Sequence, residues 1–386
     1  MKRVVRNPYA AVDWANVRQF KAQLHAHTTN SDGARPPAEV VDLFRQWGYD
    51  ILAITDHDYD IETTDQAGRH PDQKTPTWPW TSFDRDPIKL GMLAVKGLEP
   101  SNTDHFVQLH ADFWTEDDLN VETDPGDPES TLYRMHRKDL DWMIGTVGER
   151  DGIADIAHPG RNDRSTEFYL QRFIDFTHVV GIDAYNRDNR YPGDPEAEPP
   201  VPSDLERWDN ILTEARTQGR DLPIWGWSVD DYHIPALDLS TCYQTHLMAE
   251  LTVEAFRASA ESGAFFSTWD THALGDPTRH VHFGVRGWTA APIFDRVTVG
   301  LTEIRVEVRQ AETVQWISDG ELVATGTSLP LDTAGLGGYA RAQAVAADGA
   351  ITHTQPFYLE DGGELVAVSG KTAKPYSRFL LSRGSD

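Results

Sequence analysis

The chain has 386 residues, room for a large catalytic domain and a smaller one; 39% apolar and 25% charged residues with twelve Trp indicate a globular core rather than wholesale disorder. Acidic residues outnumber basic ones 61 to 35, a net charge of −26, so the surface repels nucleic acid and anionic membranes and reads as a solubility adaptation of the kind a high-salt cytoplasm demands. Cys242 is the single cysteine, which excludes an intramolecular disulfide framework and a thiolate zinc site.

Met1 to Arg6 is basic, but Asn7, Pro8 and a mixed polar stretch follow instead of the apolar run of a secretory signal. No segment approaches the roughly 18 apolar residues of a membrane span, so a soluble, cytoplasmic protein is expected. Residues 21–28 read as a strand and 36–47 as a helix, with Pro36 and Pro37 in its first turn, Val40, Val41, Phe44 and Trp47 at helical spacing, and Gly48 as its stop. Strands are predicted at 51–54, 93–98, 106–113, 153–157, 179–185 and 224–229, and helices near 167–176, 205–217 and 253–262. Alternation of this kind predicts a parallel sheet with helices outside, and about seven units suit a barrel better than an open sheet. The stretches 63–86, 117–129 and 186–203 are polar and interrupt the alternation, as loop insertions that frame a site would.

After about Ala290 the texture changes to short alternating runs at 296–299, 303–308, 314–317, 322–324, 340–345 and 352–359, separated by turns such as Ser318-Asp319-Gly320 and Asp348-Gly349. These predict a small antiparallel, immunoglobulin-like β-sandwich. The expected division is therefore a barrel over 1–290 and a sandwich over 291–386.

The chemistry lies at the strand ends. His25-Ala26-His27 ends the first predicted strand with both imidazoles on one face, and Ser31-Asp32-Gly33 follows in a turn. Thr55-Asp56-His57-Asp58 ends the second strand, Glu99 closes a third, His105 opens a fourth and His110 closes it. His158, in Ala157-His158-Pro159-Gly160-Arg161, and Asp231-Tyr232-His233 end later strands. In a parallel barrel such ends converge on one rim. Imidazole with carboxylate and no thiolate suits Zn, Mn or Fe, and the number of candidates suits two or three divalent ions. Clustered ions of this type hold a hydroxide nucleophile and neutralise substrate oxyanions. His70, His136, His178, His246, His272, His280, His282 and His353 lack such placement and read as surface or core residues.

These residues resemble the four motifs of the PHP family, named for its polymerase and histidinol phosphatase members: His25-Ala26-His27 with Ser31-Asp32-Gly33, Thr55-Asp56-His57-Asp58, Ala157-His158-Pro159 and Asp231-Tyr232-His233. The resemblance spans about 23–266 and implies a distorted (β/α)7 barrel with a two- or three-metal site that hydrolyses phosphoesters. It implies ligands at His25, His27, Asp32, His57, Glu99, His158, Asp231 and His233, with Glu99 shared between ions. A further ligand is His105, favoured because an apolar strand follows it, or His110 at a longer spacing. Asp183 stands where the family commonly has Glu. The appended sandwich is similar to that of stand-alone members, some of which cleave carboxylic or carbamate esters.

The expected activity is metal-dependent hydrolysis of a small-molecule phosphomonoester or phosphodiester by a metal-bound hydroxide. Asp231 or a neighbouring His such as His233 would assist the leaving group. Arg161 would clamp the phosphate, with Arg35 a weaker candidate. The alternatives are a carboxylic-ester or carbamate hydrolase on the same site, and a non-catalytic module stabilised by metal. The expected partner is a small-molecule ester, with neither nucleic acid nor membrane.

Overall fold

The computed structural model describes residues 1–57, 77–100, 104–112, 121–123, 134–136, 139–162, 164–186, 202–233, 241–270 and 291–362. In chain order they form β1 (Lys2–Arg6), β2 (Arg18–Gln23), α1 (Pro37–Gln46), β3 (Ile51–Ile54), α2 (Pro87–Leu90), β4 (Leu93–Leu98), β5 (Phe106–Leu109), β6 (Val121–Thr123), β7 (Arg134–His136), α3 (Leu140–Glu149) and β8 (Ile153–Ile156). There follow α4 (Thr166–Asp175), β9 (Val179–Asn186), α5 (Asp204–Thr217), β10 (Trp225–Val229), β11 (Cys242–Met248), α6 (Val253–Ser262) and β12 (Phe265–Trp269). The last strands are β13 (Ile293–Val299), β14 (Glu303–Arg309), β15 (Thr313–Ser318), β16 (Glu321–Thr325), β17 (Ser328–Pro330), β18 (Tyr339–Val345), β19 (Ile351–Thr354) and β20 (Phe357–Asp361). Of the three predicted insertions, 63–76, 117–120, 124–129 and 187–201 lie outside the described residues. No helix among the described residues is long and apolar enough to cross a membrane.

One sheet runs β1-β20-β18-β19-β12-β11-β2-β3-β4-β5-β8-β9-β10. Its pairs β2–β3–β4 and β8–β9–β10 are parallel, as the βα alternation predicts. The expectation of a wholly parallel sheet needs correction at two places. β5 is antiparallel to both β4 and β8, and β11 is antiparallel to both β2 and β12. Only residues 99–105 join β4 to β5, too few for the crossover of a dozen or more residues that a parallel neighbour requires. β11 escaped the sequence reading because all seven of its positions are buried, so CYQTHLM carries no alternation. Beyond the named strands, Ala26 pairs with Tyr232 in an isolated parallel bridge, which brings the segment after β10 against the segment after β2.

Local sequence explains the elements that carry this sheet. Pro37 sits in the first turn of α1, Val40, Val41 and Phe44 turn inward, and Gly48 leaves the helix at φ 78°. Ser203 and Glu206 form a reciprocal capping box that starts α5. Trp208 of α5 packs on the sheet at Gly226, where a Cβ would stand 2.6 Å from the indole. Burying one such Trp contributes about 4–6 kcal/mol as an upper estimate. Gly181 plays the same part inside the sheet: a Cβ there would lie 2.3 Å from Trp227 Nε1 and 2.4 Å from Asp155 Oδ1.

The C-terminal strands form two antiparallel layers, β13-β14-β17 against β15, β16, β18, β19 and β20. Phe294, Ile304 and Val306 of the first layer meet Trp316, Ala342 and Phe357 of the second in one buried cluster. The run 352–359, predicted as one strand, is two; Pro356, with no N–H to give a ladder, separates β19 from β20. The larger layer is hydrogen-bonded to the N-terminal part of the sheet through β12 and β19, from Phe266↔Thr354 to Trp269↔Ile351. The basic start of the chain, unassigned from sequence, is β1 and pairs with β20. Below this junction Arg341 grips Asp209 of α5 with Nε at 3.0 Å and Nη2 at 2.7 Å, and Tyr339 Oη donates to Asp209 at 2.6 Å. Arg341 Nη1 donates to His353 Nδ1 at 2.7 Å, which leaves the His353 Nε2–H for Tyr185 Oη at 2.6 Å.

Gly181→Ala should destabilise the fold by about 1–3 kcal/mol through overpacking against Trp227, read as a lower denaturant midpoint at unchanged m-value. His246 on β11 is fully enclosed between Phe256 and Phe265, and burial pushes its pKa from 6.5 down to about 3. The unfolded chain therefore binds a proton that the folded chain refuses, so this residue costs nothing above about pH 6.5 and removes stability as pH falls from there toward 3. His246→Asn should shrink the stability difference between pH 7.5 and pH 5; an unaltered difference would exclude His246 as a source of acid sensitivity.

Candidate metal centre

The ladder between the segments after β2 and β10 fixes the first three candidates. His27 N–H donates to Tyr232 O at 2.8 Å and Tyr232 N–H to His25 O at 3.3 Å. Ala26 and Tyr232 face the buried cluster under α1, so His25, His27 and Asp231 face the opposite way, together. The loop carrying Asp32 then folds back on His27. At Gly33 an added Cβ would stand 2.5 Å from the His27 carbonyl, so only glycine admits that approach. His57 follows β3 and pairs with Glu99, at the end of β4, in an isolated parallel bridge.

Glu99 is the hub. Its Oε2 lies 2.8 Å from His25 Nε2, 3.0 Å from His27 Nε2 and 3.5 Å from His57 Nδ1. Its Oε1 lies 2.9 Å from His105 Nδ1 and 3.2 Å from His158 Nε2. Asp231 Oδ1 is 3.1 Å from both His25 and His27 Nε2. Asp32 joins the outer side, 3.2 Å from His233 Nε2 and 3.7 Å from His57 Nε2. Three overlapping donor sets result: His25, His27, Glu99 and Asp231; His27, Asp32, His57 and His233; and His57, Glu99 and His105. His25, His27, Glu99, His158 and Asp231 form a floor that is at most 1% exposed, whereas the side chains of His57, His105, His233 and Asp32 are 13–22% exposed and form the mouth.

The reversal of β5 brings His105, and not His110, to Glu99. Because β5 runs antiparallel, its first end, with His105, lies beside the carboxyl ends of β4 and β8. His110, at its other end, takes φ 68° and packs on Phe256 of α6, away from Glu99. Arg161 is not drawn into the cluster; its side chain is exposed on the turn after His158. Arg35 pairs with Glu39 of α1 at 3.2 Å.

Burial alone would raise the pKa of Glu99 and Asp231. Instead the imidazoles of His25, His57 and His105 hold Glu99 well below the usual carboxylate range, and those of His25 and His233 do the same for Asp231. Burial and the neighbouring His233 oppose a proton on His27, yet its hydrogen bonds to Asp231 and Glu99 prevail and lift it to about 10. His57 is driven the other way by burial, to about 4. Without an ion the acids are thus neutralised by protons shared among the rings, which a divalent cation would displace.

The donor set fits such ions. Ligands about 2.1 Å from a tetrahedral or octahedral centre stand about 3.0–3.4 Å apart, and the closest donor pairs here are 2.8–3.5 Å apart. Two of the donors sit on sparsely populated backbone, His158 at φ 28° and Asp231 at φ 49°. The strained turn at His158 is held by Asp183, whose Oδ2 accepts the His158 N–H at 2.8 Å and Asn186 Nδ2 at 3.0 Å. Asp183, shorter by one methylene than the expected Glu, still reaches this backbone. Asp155 lies beside it; burial pushes both carboxyls upward, and the neighbouring Asp183 raises Asp155 further, whereas His25 and the hydrogen bonds to Asp183 oppose the rise of Asp183 itself. Asp155 went unremarked in the sequence, although an acid inside the four-residue apolar strand IADI was a signal for it.

No protein-family model matches the chain, and no curated protein matches it. Among solved structures it is similar to a two-domain protein containing a predicted PHP-like metal-dependent phosphoesterase from Bacteroides vulgatus, 12% identical over 92% of this chain and 98% of that one, TM-score 0.48. It is also similar to an amidohydrolase from Chromobacterium violaceum solved with sulfate and no metal, 17% identical over 62% of this chain and 96% of that one, TM-score 0.36. A lesion-specific endonuclease from Pyrococcus furiosus is 12% identical over 63% of this chain and 56% of its own, TM-score 0.39.

Proposed function

We propose that the chain is a PHP-type metal-dependent hydrolase acting on a small-molecule phosphomonoester or phosphodiester. The observation that carries this reading is Glu99, whose two oxygens face different imidazoles, His25 and His27 on one side and His105 and His158 on the other. A carboxylate so divided suits two neighbouring ions better than one. On this reading β2, β3, β4, β5, β8, β9 and β10 are the seven strands of a distorted barrel joined at the Ala26–Tyr232 bridge, 1–290 is the catalytic part and 291–386 an immunoglobulin-like appendage.

His25, His27, Glu99 and Asp231 would hold one ion, Glu99, His105 and His158 a second, and Asp32, His57 and His233 a third. Bound divalent ions supply Lewis-acid polarisation of an ester oxygen and lower the pKa of water. The chain's own residues do the rest. His233 Nδ1–H donates to the Asp231 carbonyl at 2.8 Å, which turns its Nε2 toward the mouth. With two ions bound that Nε2 would pass a proton to the leaving oxygen; with a third ion on Nε2 the role would fall to Asp231. Arg161, exposed one turn beyond His158, offers the two-pronged donor that a phosphate takes.

Purified protein should carry zinc, manganese or iron by elemental analysis, and exhaustive chelation should abolish turnover of nitrophenyl phosphate or bis-nitrophenyl phosphate. His57→Ala should lower turnover by at least about 100-fold, beyond the usual cost of losing a supporting residue. Metal-dependent cleavage of nitrophenyl acetate without phosphate turnover would select the carboxylic-ester or carbamate alternative, and metal without any turnover the stabilised module. Arg161→Ala should raise KM for the phosphoester by about tenfold while kcat changes little; an unchanged KM would remove Arg161 from the site.

A further inference from the structure

Donor counting around Ser31 determines which nitrogen of His27 carries a proton once the ring is neutral. Asp56, fully buried, accepts at both oxygens: Thr28 N–H at 2.6 Å and Ser31 Oγ at 2.6 Å on Oδ1, Thr28 Oγ1 at 2.7 Å and Thr77 Oγ1 at 3.0 Å on Oδ2. The Ser31 hydroxyl has one proton and three neighbours, Asp56 Oδ1 at 2.6 Å, Asp32 Oδ1 at 3.4 Å and His27 Nδ1 at 3.2 Å. Both competitors of the imidazole are carboxylates, and the shorter contact takes the proton. Ser31 Oγ therefore meets His27 as an acceptor, and His27 Nδ1 must donate to it. The Nε2 lone pair is then the one aimed at His25, Glu99 and Asp231.

We propose that Ser31 and Asp56 are positioning residues of the metal centre. Asp56 orients the Ser31 hydroxyl, and Ser31 holds His27 in the Nδ1–H form, committing its Nε2 to the ion shared with His25, Glu99 and Asp231. The same hydrogen bond withholds Nδ1 from the outer set of Asp32, His57 and His233, so that His27 serves one ion and does not bridge two. Asp32 Oδ1 stands farther from His27 Nδ1, at 3.5 Å, and is left to the outer set. This assignment rests on the reading of the cluster as a metal centre.

Zinc stoichiometry and affinity, measured by competition with a chromophoric chelator, test it in the wild type and in Ser31→Ala, Ser31→Thr and Asp56→Asn, with circular dichroism and the unfolding midpoint of each metal-free protein alongside. Ser31→Ala should weaken one zinc equivalent by about 10–100-fold and leave the others unchanged. Ser31→Thr, which keeps the hydroxyl, should return that equivalent to within a few-fold of wild type, and Asp56→Asn, whose amide oxygen stays on the Thr28 N–H and still accepts from Ser31, should weaken it less than Ser31→Ala does. If Ser31→Ala does not fold, Ser31→Gly, which removes the same hydroxyl, carries the same readout against Ser31→Thr. Wild-type affinity in Ser31→Ala, or equal weakening of all equivalents without rescue by threonine, would overturn the assignment while leaving the metal centre standing. A wild type that takes up no zinc would overturn both.

Discussion

A carboxylate with 1% exposure must be matched or it loses its charge, and Glu99 is matched on both oxygens by imidazoles from four chain segments: His25 with His27, His57, His105 and His158. His25 and His27 are themselves fully buried, which opposes a proton, and the acids beside them restore it. The cluster is therefore mutually dependent: removing any one charge leaves another uncompensated. This is a poor way to stabilise a protein and a good way to prepare a site for cations, because an ion replaces shared protons without reorganising the rings. The backbone strain at His158 and Asp231 is consistent with that priority, since both residues are held off the favoured regions to aim their side chains inward.

The fold delivers these groups through a mixed sheet, parallel along β2–β3–β4 and β8–β9–β10 and antiparallel at β5 and β11. β5 is the instructive strand. Had it run parallel, its last residue and not its first would have reached the rim, and His110 would have met Glu99. The short connection after β4 fixes the direction, and the direction picks the histidine. Glycine tolerances serve the same end, since Gly33 lets the Asp32 loop touch the His27 backbone and Gly181 leaves room for Trp227 beside Asp155.

The C-terminal layers are not hung on a linker. β12 and β19 share a ladder, β1 returns to pair with β20, and Arg341 with Asp209 sits almost fully buried where α5 meets β18. A buried ion pair of this type contributes little net stability over apolar packing, but breaking one half of it is costly. Its geometry, with Tyr339, His353 and Tyr185 continuing the network, specifies how the two parts lie against each other.

Several things were legible in the sequence because they depend on neighbours along the chain. The period of α1, the βα alternation, the change of texture near Ala290 and the placement of His25, His27, His57, Glu99, His158, Asp231 and His233 at strand ends all follow from local patterning. What tertiary structure alone decided was pairing at a distance. It set the antiparallel sense of β5 and hence the place of His105, not His110, beside Glu99, the membership of β1 in the C-terminal layer, and the all-buried β11 that shows no period. It also set the hydrogen bonds by which Asp56 and Ser31 hold His27, and Asp183 the turn at His158. Residue type and spacing announce which groups a rim receives; which oxygen faces which nitrogen depends on strands brought together across the whole chain, and no local pattern encodes that distance.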